Sequence, residues 1–215
     1  MDCKKVKYMK LNFALILVLF FTVLNGCVSQ NEEESKLEND KIEGFSIPLP
    51  EDWIDRSDLN IKDNLSKFEM EEEQLSKMIK SHNGSIPIAI YVKYDPSTHG
   101  GVIPTIQVNL RPNGTKSMKS FKAEMEKSII AMSNYMSKFK IIQELEEVVV
   151  DGVKGLRFIS QFDMMGTTGE DMTIRSWSYA IPVGNYFYQI NFSDTETDNC
   201  AILYNQLISE VKFRK

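Results

Sequence analysis

The sequence predicts an α+β fold, an antiparallel β-sheet flanked by helices, and three features predict it. Apolar and polar residues alternate with period two over long stretches beyond residue 86, the stretches are joined by tight turns, and no strand–helix–strand series appears that would build a parallel sheet. A further detail adds a layer. Trp177 and Tyr179 share one parity of their strand while Met172 and Ile174 share the other, so central strands are expected to be covered on both faces, as in an α/β/α sandwich.

The elements follow in order. Phe45-Ser46-Ile47-Pro48-Leu49-Pro50 reads as a short first strand that ends at its prolines, which cannot donate to a ladder. Beyond Asp63, Leu65, Phe68, Leu75, Met78 and Ile79 recur at near-helical spacing until Asn83-Gly84 stops the pattern. Glu69, Glu71, Glu72 and Glu73 make this helix acidic, which reads as a solvated face rather than a cation site. Ile86, Ile88, Ile90, Val92 and Tyr94 then alternate with Pro87, Ala89, Tyr91 and Lys93 in one strand, and Pro104, Ile106, Val108 and Leu110 alternate with polar residues in the next. Asp95 to Gly101 is the loop between them, punctuated by Pro96, Gly100 and Gly101.

The second helix is the clearest. Phe121, Met125, Ile129, Met132 and Met136 recur every three or four residues, and Ser117 supplies an N-cap. Its methionines read as core filler rather than as a soft-metal or ligand stripe. The strongest local signal is a hairpin. Phe139, Ile141, Leu145 and Val149 share one parity, Asp151-Gly152 supplies the positive φ angles of a type I′ turn, and Leu156, Phe158, Phe162 and Met164 continue beyond it. After a turn at 166–169, Met172 to Ile181 and Tyr186 to Phe192 form two more strands, joined across Pro182-Val183-Gly184-Asn185. A last helix closes the chain, with Thr195 or Ser193 as cap, Asp198 or Glu196 at the capping-box position, and Cys200, Leu203, Leu207, Ile208 and Val211 on its apolar face.

The first 26 residues belong to no domain. Lys4, Lys5, Lys7 and Lys10 form a basic region, Phe13 to Leu24 is an apolar run too short for a comfortable span of ~20 residues, and Leu24-Asn25-Gly26-Cys27 follows at once. This layout is that of a secretory signal peptide, and its end resembles the bacterial and archaeal lipobox, with Asn25 standing where a small residue is usual. The resemblance implies cleavage before Cys27, lipidation of Cys27, and a product held at the outer side of a cell membrane. Residues 27–42 then form a flexible polar linker, since Ser29 to Ser35 offers nothing apolar to bury, and the domain spans 43–215.

Charge and cysteine usage narrow the partners. The leader removes four lysines and Asp2 from a chain of 25 basic and 30 acidic residues, leaving 21 against 29. So acidic a domain has no electrostatic footprint for nucleic acid or anionic lipid, and membrane attachment falls to the covalent lipid. With Cys3 gone and Cys27 lipidated, Cys200 is alone, so no internal disulfide is available to the mature chain.

A family resemblance runs through residues 43–213. Phe45-Ser46-Ile47-Pro48-Leu49-Pro50-Glu51-Asp52-Trp53 resembles the F-x-I-x-x-P-x-x-W opening of PsbP-like and DcrB-like domains. Pro104-Thr105-Ile106-Gln107-Val108, Val153-Lys154-Gly155-Leu156-Arg157 and Val211-Lys212-Phe213 fit the same pattern. The resemblance implies an antiparallel sheet between helices, as in the Ran-binding Mog proteins, and a binding or accessory role. Plant members sit on photosystem II, other members bind protein partners, and many bacterial and archaeal members are lipoproteins of unknown function.

The residues themselves carry no catalytic set. His82 and His99 are the only histidines; Asp95 and His99 share a loop, but Zn²⁺ takes three or four protein ligands and no Cys-His or HExxH spacing exists. No serine lies in a G-x-S-x-G elbow, no Walker A or GxGxxG loop is present, and Cys200 on an apolar helix face behaves as a small hydrophobe. Trp53, Trp177 and the intervening Arg175 are the candidate ligand-binding residues, against core packing as the blander reading. Asn64, Asn83, Asn113 and Asn191 each head a glycosylation sequon. The expectation is a non-catalytic, cofactor-free, lipid-anchored domain that binds a protein partner in the cell envelope, with a small-molecule or ion-binding module as the alternative.

Overall fold

The computed structural model describes residues 44–57, 72–166 and 169–214. The leader, Cys27, the linker, Leu65, Phe68 and the Asn64 sequon lie outside the described residues. In chain order the elements are β1 (Gly44–Ser46), β2 (Ile54–Asp55), α1 (Glu72–Ser81), β3 (Ile86–Val92), β4 (Thr105–Pro112), α2 (Met118–Ser133), β5 (Ser137–Val150), β6 (Val153–Met165), β7 (Asp171–Val183), β8 (Tyr186–Thr195), α3 (Ala201–Glu210) and β9 (Lys212–Arg214).

Seven strands form one sheet in the order β2-β3-β4-β8-β7-β6-β5, every neighbouring pair antiparallel. Register explains the layering. Ile106, Val108 and Leu110 of β4 stand opposite Phe192, Ile190 and Tyr188 of β8, which stand opposite Trp177, Tyr179 and Ile181 of β7. These rows make one apolar face, and Leu75 and Ile79 of α1 with Tyr204 and Leu207 of α3 join the same buried cluster. The other parity meets α2: Leu156, Ala180 and Phe187 pack with Phe121 and Met125. Helices thus lie on both faces, giving the α/β/α sandwich that the PsbP-like resemblance implies.

Several local expectations change. β1 is shorter than Phe45–Pro50 and pairs with β9 instead of entering the main sheet, Phe45 opposite Phe213, so the chain ends in a strand and not in its last helix. In β3 a register shift between Pro87 and Ala89 turns Ala89 and Tyr91 onto the face occupied by Ile86, away from the single parity read from the sequence. Three such irregularities run through β5 between Ser137 and Glu146, and beyond them ordinary alternation buries Val150 and leaves Val149 exposed. The α3 cap also differs. Neither Thr195 nor Ser193 caps it; the N-cap is Cys200, whose backbone N–H donates to Asp194 Oδ2 at 2.6 Å. Ser117 caps α2 as expected, accepting from the Ser120 N–H at 3.2 Å.

The β5–β6 turn has φ of 48° at Asp151 and 80° at Gly152, the left-handed pair that a two-residue hairpin demands. Gly155, just beyond it, serves a different purpose. A Cβ there would come within 2.9 Å of the Ala180 carbonyl oxygen and would strike the Ile181 side chain. We therefore expect Gly155→Ala to cost about 1–3 kcal/mol, as overpacked cores do, in urea unfolding; a loss below about 0.5 kcal/mol would show slack between β6 and β7.

Candidate functional site

The residues singled out from sequence come together, but around a filled centre. Arg175 and Trp177 project from the same face of β7, with the guanidinium 5.4 Å from the indole. Trp53 and Trp177 both meet the Tyr204 ring edge-on, at 6.4 and 5.2 Å between centroids. Both indoles are buried, and Tyr204 occupies the space between them. Arg175 is engaged within the chain: Nε and Nη2 donate to the two oxygens of Asp194 at 3.1 and 3.2 Å, and Nη2 also reaches Thr195 O and Asn199 Oδ1.

The other polar candidates are scattered. The His99 ring stacks on Tyr94 at 4.6 Å, His82 Nδ1 lies 2.9 Å from Met78 O at the end of α1, and the Asp95 carboxylate accepts the Ser97 N–H and hydroxyl. Among the described residues no group of three or more His, Cys, Asp or Glu is gathered closely enough to hold a metal ion. Cys200 is buried, and burial pushes its thiol above the ordinary range. Asn191 lies inside the fold, so its sequon is no acceptor in the folded domain.

What the sequence did not reveal is on the opposite face, under α2. There β8 presents Phe187, Gln189, Asn191 and Ser193, with Asn191 flanked in register by Gln107 of β4 and Ser178 of β7. Ser160 of β6 stands opposite Ser176 of β7. A polar strip therefore crosses the middle of a sheet whose face is roofed by a helix. Part of it is satisfied internally: Gln107 Nε2 donates to Asn109 Oδ1 at 3.3 Å, and Arg111 Nη1 to Gln189 Oε1 at 3.4 Å. Burial lowers the Arg111 guanidinium to about 10, which leaves it charged at neutral pH.

A cavity of about 40 Å³ remains between this strip and the helix. Met125 and Met132 of α2, with Met136 and Leu145 beyond it, form the roof. Leu156, Phe158, Phe162 and Phe187 form the walls. The floor is polar, made by Ser160, Ser176, Ser178, Gln189 and Asn191. Two floor groups have no hydrogen-bond partner, Ser160 Oγ and Asn191 Nδ2, on residues only 0% and 5% exposed. A buried unpaired donor costs about 1–3 kcal/mol, so two of them at one apolar cavity call for a partner from outside the chain. The available signal was the polar parity of β8 set against the buried stripe of α2; each reads as ordinary until the two are superposed.

A different feature marks the sheet's outer edge. β5 is a 14-residue strand at the end of the strand order. Ile142 is 56% exposed there, and Val149, Ile130 and Tyr135 are exposed as well. Among the described residues no helix is long and apolar enough to cross a membrane.

No family model matches the chain, and no curated protein matches it. Among solved structures the chain is similar to LpqN, involved in cell envelope biogenesis of Mycobacterium tuberculosis, at 12% identity and a TM-score of 0.49, covering 85% of this chain and 91% of that one. It is also similar to the cyanobacterial PsbP (CyanoP) of Synechocystis sp. PCC 6803, at 11% identity and a TM-score of 0.46, covering 88% of this chain and 98% of that one. Both are likenesses of fold, at identities too low to carry an activity across.

Proposed function

We propose that this chain is an exported lipoprotein, tethered through Cys27, whose domain holds a protein partner in the cell envelope and performs no catalysis. The leader and the lipobox-like Leu24-Asn25-Gly26-Cys27 support the tether. A polar linker over 28–42 would hold the domain within an r.m.s. reach of about 20 Å of its anchor, raising its effective concentration against membrane partners.

The observation that carries the reading is the β5 edge. A long strand without an outer neighbour among the described residues offers its backbone groups to a partner's strand, and exposed Ile142 and Val149 give that partner apolar contacts. The opposite edge strand, β2, has only two residues and offers little. The alternative of a small-molecule module draws support from the α2 cavity and not from Trp53, Arg175 and Trp177.

The test places a photo-crosslinking residue at Ile142 of the full-length protein in native membranes, and another at Ile202, which is more open to solvent, 87% against 56%, and lies on α3. One recurrent membrane partner at position 142, absent at 202, is the expected result. Equal capture at both positions, or none at 142, would sink the edge-binding reading.

A further inference from the structure

We infer that the cavity beneath α2 is a binding site for an uncharged, mainly aliphatic molecule that carries one carbonyl or hydroxyl oxygen, held by Asn191 Nδ2 and Ser160 Oγ. The argument starts from what lines it. The roof and walls are methionine, leucine and phenylalanine, and no charged side chain lines the space. The buried cation nearest the floor, Arg111, donates to Gln189 and does not itself line the space, so an ionised ligand would lose its hydration with no charged group in contact to replace it. A pure hydrocarbon would leave the two unpartnered floor groups as they are. A molecule with an apolar body and one acceptor satisfies both constraints, since the Asn191 amide is a donor and the Ser160 hydroxyl can donate or accept.

Size sets the mode of entry. A cavity of about 40 Å³ holds roughly two or three waters, at about 15 Å³ each, and is well below the ~150 Å³ that encloses a benzene ring. It therefore takes one end of a ligand. Growth is possible because the roof is methionine, unbranched and with three rotatable side-chain bonds, so it can retreat without unfolding the helix. Met136 and Leu145 at the rim are only half-buried, which leaves a route outward for the remainder of a chain.

The test uses the full-length protein in its native membrane and a photoreactive aliphatic diazirine alcohol, with 1-octanol as competitor and the matching carboxylate at pH 8 as the charged control. Labelling is expected on Met125, Met132 and their facing residues on β6, saturable and competed by 1-octanol, with the carboxylate roughly tenfold weaker or less. Ser160→Ala and Asn191→Leu should each reduce the competed labelling several-fold, roughly tenfold at most, the loss of one buried hydrogen bond. Partition into lipid is the same for every variant, so it cancels in these comparisons. Label confined to exposed side chains such as Tyr135, label that 1-octanol does not displace, or equal labelling by the carboxylate overturns the inference and leaves water as the sole occupant. The wild-type result decides even if a variant folds poorly.

Discussion

Tyr204→Ala is expected to lower stability by about 4 kcal/mol in urea or thermal unfolding, a large share of the roughly 5–15 kcal/mol that domains of this size possess. Tyr204 is 1% exposed and stands where three aromatic partners meet: Trp53, Trp177 and Phe192, the last at 4.9 Å between centroids. Truncation removes about as much buried surface as one side chain can contribute and opens a void that three rigid rings cannot collapse into. The hydroxyl is a separate quantity. It donates to Ser193 O at 2.7 Å, so Tyr204→Phe should cost about 1 kcal/mol and leave the ring contacts intact. A Tyr204→Ala loss below about 1.5 kcal/mol would mean that α3 packs loosely on the sheet and that the space between Trp53 and Trp177 has slack enough for a ligand.

That contrast shows what the sequence could and could not reveal. Strand parity is a local property, so the rows through Ile106, Phe192 and Trp177, the Asp151-Gly152 turn and the buried stripe of α2 were legible. A sheet covered on both faces was legible too, because apolar residues of both parities on one strand have no other explanation. The pairing of residues 44–46 with 212–214 was not, since nothing local in either segment names the other. The bulge between Pro87 and Ala89 was hidden for a related reason: one inserted residue flips the inward set without altering composition. The candidate recess shows how little residue type alone conveys. Trp53, Arg175 and Trp177 have the residue types of a ligand recess, but Tyr204, far along the chain, fills it, and Asp194 engages the arginine. Ser160 and Asn191 look like solvent-facing strand residues until α2 is laid over them. Their burial is a tertiary fact, and only the structure brings the unpaired groups to one apolar cavity.

The Arg175–Asp194 pair carries the other large expected effect, and its pH dependence identifies the cause. The Asp194 side chain is fully buried, while the Arg175 side chain keeps 24% of its exposure, so removal of the arginine strands a carboxylate with no route to water. Arg175→Ala is expected to cost about 3–5 kcal/mol near pH 7, the usual loss when one partner of a buried pair is taken away. Burial already pushes the Asp194 carboxyl above its ordinary range, against the pull of the Cys200 N–H and of Arg175. Without Arg175 it must rise further. A carboxyl whose folded pKa is raised costs nothing while it is protonated in both states, below about 3.9, and the cost grows as pH rises toward the folded value and stays constant above it. The deficit of Arg175→Ala relative to wild type should therefore be largest at neutral pH and shrink steadily as pH falls toward 4. Asp194→Asn separates the charge from the cap: the amide can still accept the Cys200 N–H that starts α3, so its deficit should be smaller and show no growth from pH 5 to 8. Unfolding curves for the three proteins at several pH values make the comparison. A deficit for Arg175→Ala that is the same at pH 5 as at pH 8 would show that water or another cation reaches Asp194.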